Sequence, residues 1–289
     1  MSYTMDTVFV NAYNAMLHHL AEQRGSKLKG LFVEEQAKGE QHFFDRVGSF
    51  SVGEILSVNS PIENQDSAMT RRMASLHAYD AGTLIHDIEK VKMLVDPTND
   101  YVQKMMNAHG KNYDQVILNA LLGTAATGKT GTGSQAFDTI NQQIAHGGAG
   151  LTVDKLLQGL RILESNDVDM DANNVYLIVN ARGKEDLLAD TKFTSHDYQD
   201  MKALGGKSLP SFRGIKIVSS ERIPAHTAGS VYRGILCVDN ALKVAKGIDP
   251  YVDISQRKDL KDQPYQIYTK QMFGAVRMEE SLVVDILFQ

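Results

Sequence analysis

Residues 96–123, DPTNDYVQKMMNAHGKNYDQVILNALLG, decide how the rest of the chain is read. Asp96 is a good N-cap, and Pro97 suits the first helical position, where a missing N–H leaves nothing unpaired. Tyr101, Val102, Met105, Met106, Tyr113, Val116, Ile117, Ala120 and Leu121 recur at three- and four-residue steps. That spacing sets them along one side of a helix. Gly123 stops it, as a glycine just past a helix end does. The pattern predicts about 26 helical residues, ~39 Å at about 1.5 Å per residue. Gly110 near the middle costs roughly 1 kcal/mol against Ala, so packing rather than propensity must hold the helix. A helix this long with one apolar flank is a backbone for other elements to lie on.

Toward the N-terminus, Met5, Val8, Phe9, Ala12, Tyr13, Met16, Leu17 and Leu20 form a helical stripe that ends near Gly25. Such a helix must dock on its own body or on a neighbour. Residues 26–45 are polar and rich in Lys and Glu, and read as an arm rather than core. Residues 49–58 and 73–79 read as strands flanking a polar tract, 59–72, with Pro61 and the pair Arg71 and Arg72. An extended hairpin with so little apolar content cannot form its own core. It must lie on something else, and the chain offers nothing obvious, which points to assembly. Residues 83–95 return to helical spacing at Leu84, Ile88 and Val91 and lead into the long helix.

Toward the C-terminus, residues 125–150 form a Gly/Thr-rich connection with a short apolar register at Phe137, Ile140 and Ile144. Thr152 can cap a helix whose Val153, Leu156, Leu157, Leu160 and Leu163 face inward. Residues 175–179 are a continuous apolar run, short enough to be a strand buried on both faces. A short helix at 184–188, a polar loop at 189–210 and strands at 214–218 and 231–238 follow. Asp239 is placed to cap a short helix at 240–246. Residues 265–277 and 281–288 close the chain as two strands joined by a turn at Met278–Glu280. Strands and helices are intermixed without an internal repeat, so the fold class is α+β.

The chain carries a net charge of −5 with no long run of one sign, and lacks the basic stripe of a nucleic-acid reader. The single cysteine, Cys237, lies in an apolar run and reads as a buried thiol. No disulfide framework is possible, which fits a reducing cytoplasm. No signal-peptide pattern and no 18-residue apolar run occur, so neither export by that route nor a membrane span is expected.

One motif invites an enzyme reading. Gly123-Thr-Ala-Ala-Thr-Gly128-Lys129-Thr130 satisfies GxxxxGK[ST], and residues 235–239 look like a hydrophobic strand ending in an Mg²⁺-holding Asp. A phosphate loop must follow a strand and open a helix. Here it follows a helix, and the next positions include Gly131 and Gly133, which together cost a new helix roughly 2 kcal/mol. A turn after a helix is the better reading. Asp167, Asp169 and Asp171 have the odd spacing of a calcium loop, but Ala172 and Ile178 stand where Gly and Glu are required. The histidines show no HExxH spacing, and no GxSxG elbow exists. The sequence offers no catalytic centre, no cofactor motif and no metal-ligand set.

Five stretches in order resemble the major capsid protein of tailed bacteriophages, of the Hong Kong 97 fold. They are HFFDRVG (42–48) with the polar hairpin carrying Arg71 and Arg72, IHDIEKVKMLVDPTNDYVQKMMNAHGKNYDQVILNALLGTAATG (85–128), and LTVDKLLQGLRIL (151–163). DLLADTKFTSHDYQDMKALGGKSLPSFRGIKIVSSERIP (186–224) and MFGAVRMEESLVVDILF (272–288), with its GA-x-R start, complete the set. The resemblance implies an N-terminal arm at 1–46 and an extended loop at 47–82 reaching over a neighbouring subunit. It also implies a peripheral domain at 83–165 with a spine helix at 97–122, an axial domain at 166–261, and a closing hairpin at 262–289 that returns to the peripheral domain. It further implies a virion shell assembled in the host cytoplasm from pentamers and hexamers around double-stranded DNA, without sequence-specific binding and without a membrane. Arg71, Arg72, Phe50, Val52, Met5, Phe9 and Tyr13 become candidate intersubunit contacts, the arginines pairing with acidic groups of the neighbour. No long N-terminal helical extension precedes the arm, which implies a separate scaffolding protein, and the shell implies a portal. No cofactor follows, and nothing identifies a covalent crosslink. The rival readings are a cellular encapsulin-like compartment and, in another class, a nucleotide-binding enzyme using Gly123 to Thr130.

Overall fold

The computed structural model describes residues 22–48, 50–54, 69–86, 98–170, 172–194, 212–226 and 231–289. The expected helix is α1, Thr98–Leu122; Asp96 and Pro97 lie outside the described residues. Its buried face is His109, Tyr113, Asp114, Ile117, Leu118 and Leu121, while Tyr101, Val102, Met105 and Met106 in the first half are only half-buried. Gly123 ends the helix, its N–H donating to Asn119 O at 2.8 Å. Gly110 has a positive reason to be glycine. A Cβ there would lie 2.4 Å from Gly25 C and 2.5 Å from Ser26 N, so the backbone of the arm packs directly on the helix.

In chain order the strands are β1 (Val33–Gln36), β2 (Gln41–Val47), β3 (Met69–Ser75), β4 (His77–Ile85), β5 (Ala125–Thr127), β6 (Gly133–Gln135), β7 (Gln143–Ile144), β8 (Val175–Val179), β9 (Lys216–Ser219), β10 (Tyr232–Val238), β11 (Leu242–Gln256), β12 (Tyr265–Arg277) and β13 (Val283–Phe288). The remaining helices are α2 (Val153–Ser165), α3 (Ala181–Ala189) and the single turn α4 (Thr191–Thr194). They build three sheets, ordered β1-β11-β12-β4, β7-β13-β10-β8-β9 and β2-β3-β5-β6. The helix α1 packs between the first sheet and one face of the second, burying Ile117, Leu118 and Leu121 with Ile178, Ile235, Cys237, Val244 and Phe273. The opposite face of the second sheet is covered by α2 and α3 through Leu156, Leu160, Leu163 and Leu187. All five residues of β8 are buried, as a strand enclosed on both faces requires. Thr152 caps α2 as expected, accepting from Lys155 N, although Leu157 is more than one-third exposed.

Several expectations are corrected. The stretch 26–45 is not all arm, because Leu28 and Phe32 are buried against α1 and two strands form in it. The hairpin pairs β2 with β3, Gln41 opposite Ser75 and Val47 opposite Met69. Residues 50–54 form no strand, and 55–68 are not described. Nor is the base of the hairpin coreless. Phe44, Ala74 and Leu76 are buried with Ala125, Ala245, Val276 and Met278 of the same chain. Residues 83–85 belong to β4 rather than to a helix, because they pair with β12. The helix expected at 240–246 is a single 3-10 turn, Asp239–Ala241, followed by a long strand. There Leu242 and Val244 alternate inward and β12 supplies a full ladder of backbone partners. The two closing strands do not pair with each other: β12 lies between β11 and β4, and β13 between β10 and β7. The turn at 278–280 therefore crosses from one sheet to another.

Candidate functional site

That crossing turn is held by three arginines. Arg277, at the end of β12, is fully buried. Its Nη1 donates to Leu121 O at 2.8 Å and to Gly123 O at 2.6 Å. These are end-of-helix carbonyls of α1, whose last turn has no basic residue of its own. Arg277 therefore supplies the positive charge that a helix C-terminus favours, from a different element. Its guanidinium lies 5.4 Å from the Phe137 ring centre and 3.4 Å from Glu280 Oε1. Burial pushes its pKa down and the Arg72 charge adds to that, while Glu280 opposes both.

Arg72 is buried; its Nη2 donates to both carboxylate oxygens of Glu280, at 3.1 and 3.0 Å, and its Nε donates to Met278 O at 3.2 Å. Arg46 donates to the same carbonyl at 2.9 Å and lies 3.7 Å from Glu279. The base of the extended hairpin, the crossing turn and the end of the long helix are thus joined through Glu280 and the Met278 carbonyl. A planar, fixed fork on each arginine suits such a joint. Gly274 allows the close approach this needs, since a Cβ there would sit 2.1 Å from Ser75 O.

A second joint ties the arm to the helix. Asp114 is fully buried on α1 and accepts from Lys27 N at 3.0 Å, Leu28 N at 3.1 Å, Gln23 Nε2 at 2.6 Å and Ser26 Oγ at 2.5 Å. Nearby, Tyr113 donates to Glu34, which also pairs with Lys246. Burial, and then the Glu34 carboxylate, push the Tyr113 phenol up.

The predicted contact residues fall in three groups. Met5, Phe9 and Tyr13 lie outside the described residues. Phe50 is 64% and Val52 100% exposed, apolar side chains left largely uncovered among the described residues. Arg71 and Arg72 both have partners in the same chain. Arg71 is half-exposed, bidentate on Asp45 at 2.5 and 3.2 Å, and 5.4 Å from the Phe43 ring centre. Its hydrogen bonds to Asp45, aided by its charge, lower the pKa of that carboxyl. The alternation of a strand separates the two arginines, sending Arg72 inward and Arg71 outward. Arg46, Arg277 and Glu280 were missed by sequence reasoning. The available signal was an arginine ending the otherwise apolar run FGAV.

The GxxxxGK[ST] stretch does not form a phosphate loop. It leaves the end of α1, forms β5 and turns through Gly128 and Gly131, both at positive φ, into β6. No helix opens after Thr130, and Lys129 and Thr130 are exposed at the hairpin tip. Cys237 is buried and its thiol pKa is pushed up by burial, the opposite of a nucleophile. Among the described residues no group of His, Cys, Asp and Glu is placed to hold a metal, and no helix is long and apolar enough to cross a membrane.

Among curated proteins no sequence matches the chain. Solved structures resemble it along almost its whole length. The capsid of cyanophage P-SCSP1u has a TM-score of 0.75 at 14% identity, covering 98% of this chain and 94% of that one. The capsid of cyanophage Pam1 has a TM-score of 0.76 at 13% identity, over 96% and 95%. A chain of mycobacterium phage Che8 has a TM-score of 0.72 at 16% identity, over 96% of each. At these identities the likeness establishes the fold. The phage capsid protein family is matched by residues 5–289, and the chain belongs to it: a structural protein of the virion shell, not an enzyme.

Proposed function

We propose that copies of this chain assemble through pentamers and hexamers into an icosahedral shell enclosing the double-stranded DNA of a tailed phage. Assembly takes place in the host cytoplasm with the help of a separate scaffolding protein and a portal. In this reading residues 1–46 are an arm, 47–82 an extended loop, 83–165 a peripheral domain and 166–261 an axial domain, with 262–289 closing the chain. The observation that carries it is the exposure of Phe50 and Val52 at the root of the extended segment, on a chain of capsid fold. Such side chains are covered when the segment lies on a neighbour, and Met5, Phe9 and Tyr13 of the arm add to that contact. Arg71, facing outward, is the arginine of the pair positioned to reach a neighbour, while Arg72 holds the hairpin base. Each contact is modest, and closure of the shell makes them act together.

Negative-stain microscopy of the purified chain, alone and with its scaffolding protein, tests the proposal. Closed shells or five- and six-membered rings are the expected result. A chain that stays a lone molecule at high concentration in both preparations would overturn it.

A further inference from the structure

An open cleft of about 740 Å³ lies beside the hairpin base, between the β2–β3 ladder and the β5–β6 turn. Its lining includes Arg46, Arg71, Arg72 and Lys129 against the carboxylates Asp45 and Glu280, a surplus of two positive charges. On a chain of net charge −5 this is a local reversal of sign. The guanidiniums are engaged within the chain, Arg71 on Asp45, Arg72 on Glu280 and Arg46 on the Met278 carbonyl. Lys129 is different. It is exposed, and among the described residues its ammonium has no partner. Met69, 78% exposed, lines the cleft, and Val47, 58% exposed, is its cross-strand partner at the end of the β2–β3 ladder.

We infer that this cleft is a contact between copies, in which Lys129 pairs with a carboxylate of a second copy of the chain. The inference rests on the assembly reading above. Charge complementarity selects the occupant. A second copy presents a surface that is acidic on balance, and a cationic cleft with an apolar rim fits a carboxylate carried on ordinary protein surface. A nucleic-acid backbone fits less well, because Asp45 and Glu280 line the same walls and would oppose a row of phosphates, and because Val47 and Met69 offer it nothing. The GK pair of the look-alike motif thus acquires a use: a two-glycine hairpin tip that presents at the cleft a lysine with no partner among the described residues.

Amine acylation and zero-length carbodiimide crosslinking on the full chain test this, comparing unassembled protein with empty shells and DNA-filled shells. Mixing isotopically heavy and light copies separates links between copies from links within one. Lys129 should be acylated about tenfold more slowly in empty shells than in free protein, and should be found linked to an Asp or Glu of another copy. Lys129→Glu should lower shell yield severalfold while Lys129→Arg keeps it, with the unfolding midpoint of the free chain unchanged in both. Shells that form normally while Lys129 stays as reactive as in free protein overturn the inference and leave the assembly reading standing. Protection confined to DNA-filled shells, or links only within one copy, overturns it too. Failure of the wild-type chain to form any shell overturns both.

Discussion

Arg277 shows how one residue can serve three elements. Its two shortest bonds go to the carbonyls ending α1, and its remaining face meets Glu280 and Phe137. Arg277→Met fills similar space but leaves buried carbonyls and the Arg72–Glu280 pair without their third member. Chemical denaturation of the free chain should show a loss of about 3–5 kcal/mol, the range for breaking a buried charged network. Arg277→Lys should recover little, because a single ammonium cannot reproduce the fork. His109 offers a pH test at the same scale. The Thr269 hydroxyl has one proton and Ala81 O lies 3.1 Å away to accept it, so His109 Nε2, 2.9 Å from that hydroxyl, is the protonated nitrogen. Burial pushes its pKa below the ordinary value, against the opposing charge of Asp80. The unfolded chain then gains a proton before the folded one as pH falls. The stability from neutral His109 is complete above about pH 6.5 and is lost below it. Denaturation midpoints measured across this range should fall with pH in the wild type and fall less in His109→Gln.

At the scale of elements, α1 illustrates a sign reversal. Propensity alone says Gly110→Ala should stabilise a helix by about 1 kcal/mol. The arm backbone at Gly25 and Ser26 occupies the space a methyl would take. Gly110→Ala should therefore destabilise by about 1–3 kcal/mol, and hydrogen exchange of residues 23–28 should rise as the arm is pushed off. The cap of α3 behaves conventionally. Asn180 Oδ1 accepts from Gly183 N at 2.9 Å, so Asn180→Ala should cost about 1 kcal/mol while Asn180→Asp should cost little. Element existence was legible from periodicity for α1, α2, β8 and β10. It was not legible for residues 242–246, where a short apolar run fits a helix and a strand equally and only the β12 ladder decides. Pairing partners were less legible still. The two closing strands are neighbours in sequence and members of different sheets, a choice made by which hydrophobic face each can bury.

At the scale of the molecule, the free chain buries its hairpin base and leaves the next residues in solvent. Phe50→Ser with Val52→Ser should leave the stability of the free chain within about 0.5 kcal/mol of wild type, because both side chains are largely exposed among the described residues. The same pair should reduce shell formation severalfold, scored by sedimentation and microscopy. Unchanged shell yield would remove these two residues from the contact. Of the candidate contacts, Phe50 and Val52 are exposed and Arg71 half-exposed in the single chain. Arg72 is buried in the same chain, because position parity in a strand assigns adjacent residues to opposite faces.

Taken by itself, the sequence determined the α+β class, the long helix with its glycine stop, the capped α2, the all-buried β8 and the absence of a working phosphate loop. Each follows from local periodicity, end chemistry or the order of elements, which a linear string carries. The tertiary structure alone decided that part of the arm is core, that the closing strands diverge, and that Arg277, Arg72 and Arg46 meet at one turn. Those outcomes depend on contacts between residues far apart in the chain, and burial of a charge or a strand edge is settled only when the partner that compensates it is in place.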